Sequence, residues 1–123
     1  MTYILLILAG ALGCNGIPHT VAGLQGREFP TPFAKPPGVG NSPPPVNFAW
    51  GAANLILGLA IGVRRVPLAA PVPAILAAAA GFVATGTYLS RHFGTVRTTA
   101  LAERRRTMGH RESVIGSAGE ATP

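Results

Sequence analysis

The sequence predicts an all-α fold, a small integral membrane bundle of three transmembrane helices. Three observations carry that expectation. Only 11% of the residues are charged, where soluble domains carry about 25%. Three stretches, 2–24, 46–63 and 66–90, contain no Asp, Glu, Lys or Arg, and a hydrocarbon core of about 30 Å is crossed by roughly 17–25 helical residues. The ten Lys and Arg and the four acidic residues, net +6, all fall outside those stretches.

The first stretch contains LAGALGCNGIPHTVAG, which admits two readings. A cleaved lipoprotein signal would use Cys14, the single cysteine. A secretory signal opens with a basic region, whereas this chain opens MTY, and Ala11 and Leu12 fit poorly before a lipid-modified cysteine. Two further spans follow. A retained helix is therefore expected, with Pro18 inside it. Proline lacks the N–H that would bond the carbonyl of Cys14, so a kink is expected there. Asn15 and His19 are four apart and share one face. Polar side chains are costly in hydrocarbon and should turn into the bundle.

The second element is a proline-rich loop, 25–45, with seven prolines between Pro30 and Pro45. Phe29, Phe33, Phe48 and Trp50 flank it. Aromatic rings favour the headgroup boundary, which would lay this loop along the membrane surface. The second span carries Gly58 and Gly62, and the third carries Ala77 and Gly81. Small residues four apart let transmembrane helices approach closely. Between these spans stand only Arg64 and Arg65, which reads as a tight hairpin joining antiparallel neighbours. After Ser90 the chain turns polar and basic. A short helix is expected at 98–108, with the last dozen residues disordered.

Counted back from the loop at about 1.5 Å per residue, the polar groups of all three spans lie within roughly 15 Å of the loop-side boundary. Asn15, His19, Asn54 and either Thr85 or Tyr88 are expected to converge beneath the proline-rich loop. Two uses of such a cluster stay open. Its members can hydrogen-bond to one another and specify packing, or they can form a polar pocket for a ligand, a proton or a lipid headgroup. No metal site is expected, because Cys14 and His19 lack further ligands nearby in sequence. No cofactor is implied. Nucleophile-elbow, zinc-protease, phosphate-loop and C-x-x-C motifs are absent from the sequence, so no enzymatic activity is expected.

The basic tail carries Arg91, Arg97, Arg104, Arg105, Arg106 and Arg111. Juxtamembrane arginines are attracted to anionic lipid by about 1 kcal/mol each. The expected role of Arg91, Arg97 and Arg104 to Arg106 is therefore headgroup contact. Nucleic acid is a poor fit, because no folded reader or interleaved aromatic accompanies the charge. With three spans, the loop and the tail share one side. That side holds Arg27, Lys35 and the six tail arginines, against Arg64 and Arg65 on the other. The positive-inside rule then favours an outside N-terminus and a cytoplasmic tail.

The stretches NGIPH (15–19), FPTPFAKPPG (29–38) and NFAWGAANLILG (47–58) resemble segments of small bacterial multi-pass membrane proteins to which no activity is assigned. The resemblance covers roughly the first half of the chain. It implies a multi-pass membrane architecture and no functional residues; the bacterial inner membrane is the expected location. The expected role is structural, accessory or interaction work, with membrane lipids, a second copy or a larger membrane complex as partners. The alternative is an oligomeric small transporter or channel that uses the polar intramembrane cluster.

Overall fold

The computed structural model describes residues 1–67 and 71–120, with side chains through residue 110. The chain is 79% helical. Helix α1 spans Thr2–Leu24, α2 spans Pro44–Arg65 and α3 spans Pro71–Glu120. Each is long and apolar enough to cross a membrane. Two compact units are distinguished, Met1–Leu89 and Ser90–Pro123.

Helix α1 is unbroken across Pro18. It ends in a motif that satisfies its last carbonyls. Gly26 takes a φ of +65°, a conformation glycine adopts without a Cβ clash. Its N–H reaches Gly23 O at 3.1 Å, and the next N–H, of Arg27, reaches Ala22 O at 2.9 Å. This paired arrangement is the Schellman cap. Helix α2 begins with prolines at its first positions, where the missing N–H has no intrahelical partner to lose. Val46 and Asn47 N–H bond Pro43 O at 3.1 and 3.2 Å. At the other end, Arg64 and Arg65 sit in the last turn of α2, where cations complement the helix dipole.

Three expectations are corrected. The proline-rich segment is not a plain connector. It folds into an antiparallel hairpin of β1 (Phe29–Pro30) and β2 (Asn41–Ser42), in register Phe29↔Ser42 and Pro30↔Asn41. Proline is tolerated there because a two-stranded edge leaves outward N–H positions unneeded. Arg64 and Arg65 do not form the turn between the second and third spans; they close α2, and α3 starts at Pro71. The basic tail is also helical well beyond 98–108: α3 runs without interruption to Glu120, and residues 121–123 lie outside the described part. No proline interrupts 74–120, and Ala, Arg, Leu, Met and Glu are good helix formers. The threonines fold their hydroxyls back onto the helix, with Thr95 to Arg91 O at 3.1 Å, Thr99 to Thr95 O at 3.0 Å and Thr107 to Glu103 O at 3.0 Å.

Helix α1 packs against both of the others. Toward α2 it comes close at Gly16, Gly23 and Gly51. A Cβ on Gly51 would overlap the Thr20 hydroxyl and lie 2.8 Å from Gly16 O. Toward α3 it comes close at Gly10 and Gly81, where added Cβ atoms would overlap Ala78 O and Ile7 O. The pairing order makes α2 antiparallel and α3 parallel to α1. Of the expected small-residue pair Gly58 and Gly62, only Gly58 meets a neighbour, with Ala9 O 2.9 Å from its would-be Cβ. No described atom comes within 4 Å of a Cβ at Gly62.

Polarity is distributed inside out. Leu6, Ala9 and Ala74 are buried, and so are His19, Asn47 and Asn54. Ile4, Ile56, Leu59, Val63, Val72 and Leu76 are each more than 60% exposed. In water such a surface would be an extended apolar patch of the kind that soluble monomers rarely carry.

Candidate functional site

The candidate site lies where the hairpin meets the ends of α1 and α2, and Asn47 is its centre. The three prolines before it start the helix, so Asn47 falls in the first turn with its side chain beside the hairpin. It is fully buried. Its Nδ2 donates to Ser42 O at 2.8 Å and Phe29 O at 3.1 Å, with Pro43 O farther off at 3.4 Å. Its Oδ1 lies 2.9 Å from His19 Nδ1.

These contacts decide the proton positions. Carbonyl oxygens only accept, so the amide nitrogen must face them. Asn47 Oδ1 is thereby turned to His19 and can only accept. His19 Nδ1 therefore carries a hydrogen and donates it. Both amide protons and the amide oxygen of Asn47 are thus used within the protein. One side chain ties together α1, α2, β1 and β2.

Rings and hydroxyls close the same junction. The Phe29 ring stands edge-on to His19, with centroids 5.2 Å apart and planes at 85°. Thr31 and Ser42, both buried, share a hydroxyl–hydroxyl bond across the hairpin. Farther out, Phe33 packs edge-on to Trp50 at 4.9 Å and 84°. The indole Nε1 of Trp50 is buried without a hydrogen-bond partner among the described residues. A perpendicular ring at this distance is the arrangement of aromatic pairs that meet edge to face.

The expected cluster is therefore brought together in part, and around a different residue. His19 is in the network but bonds Asn47. Asn15 Nδ2 approaches Asn54 Oδ1 at 3.4 Å, a long contact, while Asn54 Nδ2 makes its short bond, 2.8 Å, within its own helix to Trp50 O. Thr85 is half-buried and Tyr88 exposed, both on α3. Tyr88 is 66% exposed, and α3 meets α1 near this level through Gly86, whose would-be Cβ lies 3.2 Å from Cys14 Sγ. Asn47, Phe29, Thr31 and Ser42 were not foreseen. Asn47 did carry a signal: it precedes Asn54 by seven residues, two helical turns, and so shares its face.

Among the described residues no group of three His, Cys, Asp or Glu is close enough to hold a metal ion. The arginines expected at lipid headgroups, Arg91, Arg97, Arg104, Arg105 and Arg106, all stand exposed on α3. Comparison with protein-family models, with curated proteins and with solved structures returns no match for this chain.

Proposed function

We propose that this chain is a multi-pass protein of the bacterial inner membrane that works as a structural, accessory or interaction subunit. The observation that carries the reading is the internal use of its polar groups. In hydrocarbon every polar group needs a partner within protein, and Asn47 and His19 supply each other and the hairpin. A transport path needs polar groups that exchange partners with a passing solute, whereas the Asn47 amide is consumed by fixed ones. The apolar exterior of α1, α2 and the first part of α3 suits lipid on the outside.

In this reading the hairpin and the basic part of α3 face the cytoplasm, where Arg91, Arg97 and Arg104 to Arg106 meet anionic headgroups. The partners are membrane lipids and a larger membrane complex or a second copy. Alkaline carbonate extraction of membranes tests the placement: the protein should stay in the pellet, and release into the supernatant would refute it. Reconstitution into vesicles tests the role. Solute flux that is abolished by His19→Ala in a correctly folded protein would overturn it in favour of a transporter.

A further inference from the structure

A second feature lies in the other half of the bundle, away from the hairpin. An open apolar groove of about 510 Å³ is lined by the first half of α1, the last half of α2 and the first half of α3. Leu6, Ala9 and Gly58 are buried and form its floor, while Leu59, Phe82 and Val83 are exposed along its rim. Along α2 and the residue that caps it, the groove extends from Gly58 to Val66, about 12 Å at the helical rise.

The groove is narrow and lined almost wholly by apolar side chains. A single hydrocarbon chain suits a depression of that length and polarity. Helical spacing also sets a cation beside the end of the groove. Arg65 follows Gly62 by three residues and so lies on the groove side of α2, next to the lining residue Val66. It is exposed. Arg64, two residues after Gly62, points to a different side.

We infer that the groove holds one acyl chain of an anionic phospholipid, with Arg65 paired to its phosphate. This rests on the bundle standing in a bilayer. Among lipid tails burial brings no hydrophobic gain, so selection comes from the fit of the chain and from the charge beside the end of the groove.

The test uses the full chain reconstituted with equal amounts of phosphatidylglycerol and phosphatidylcholine. After extraction in mild detergent, bound lipid is counted by native mass spectrometry. One phospholipid per chain is expected, with phosphatidylglycerol enriched about fivefold, the factor that corresponds to about 1 kcal/mol for one arginine. Gly62→Leu should remove the bound lipid. It should fold normally, because among the described residues nothing lies within 4 Å of a Cβ at that position, and its melting temperature in lipid-free detergent should match the parent's. Arg65→Gln should keep a bound lipid and lose the enrichment, while Arg64→Gln should change neither. The inference is overturned if Gly62→Leu retains lipid at the parent level, if no lipid is retained by the parent, or if Arg65→Gln keeps the enrichment. A dimer mass that Gly62→Leu abolishes would also overturn it and assign the groove to a second copy. Failure of the membrane reading looks different: the parent itself would leave the membrane fraction in alkaline carbonate.

Discussion

Asn47→Ala should release the hairpin while leaving the helices in place. The substitution removes the donors to Phe29 O and Ser42 O and the acceptor from His19 Nδ1, three contacts of 3.1, 2.8 and 2.9 Å. Each neutral hydrogen bond contributes about 1–1.5 kcal/mol, and a partner left buried without one costs about as much or more. The junction should therefore lose about 3–4 kcal/mol. That corresponds to an increase of about two orders of magnitude or more in the population with the hairpin undocked. Arg27, exposed beside the hairpin, offers a tryptic site whose cleavage tracks that population when opening is fast relative to cutting. Cleavage after Arg27 in detergent micelles should speed up by about two orders of magnitude, or to the limit set by the protease. The control is Asn54→Ala. Its short bond is local to its own helix and its contact with Asn15 is long, so its effect should stay within about tenfold. A parent-like cleavage rate in Asn47→Ala, or an equal response in Asn54→Ala, would refute the assignment of Asn47 as the lock.

Four further outcomes are expected. His19→Leu keeps the Asn47 bonds to the hairpin but leaves its amide oxygen without a donor, so it should destabilise the fold by about 1–3 kcal/mol, less than Asn47→Ala in the same thermal melt. Gly51→Leu should separate α1 from α2, because the added side chain meets Thr20 and the Gly16 carbonyl; a melting temperature equal to that of Gly62→Leu would contradict the close approach. Far-UV circular dichroism of the full chain should report a helix content near 79%, and a value near half would show that α3 stops after its apolar part. An alkaline phosphatase fused after Pro123 should be inactive if the tail is cytoplasmic; activity there would reverse the proposed orientation.

Much of this architecture is legible one residue at a time. A helix that can cross a bilayer is recognised by the absence of charge over a window, a property of neighbours in sequence. The helices around 2–24, 46–63 and 66–90 could therefore be read directly, with ends shifted by the prolines that start α2 and α3. The tail was harder. Its polar composition resembles that of a disordered segment, yet α3 continues to Glu120, in line with the helix propensity of its Ala, Arg, Leu, Met and Glu residues.

The sequence by itself determined that three apolar helices would form and that His19 and Asn54 would need partners inside. Only the tertiary structure decided which partners. His19 and Asn47 are 28 residues apart, and no local pattern says that one Asn will close on the hairpin while another bonds within its own helix. The same holds for glycine. Gly58 and Gly62 look equivalent in sequence, but one lies against α1 and the other opens onto a groove. Hydropathy is summed along the chain, whereas a hydrogen bond or a close backbone approach depends on where a second helix stands.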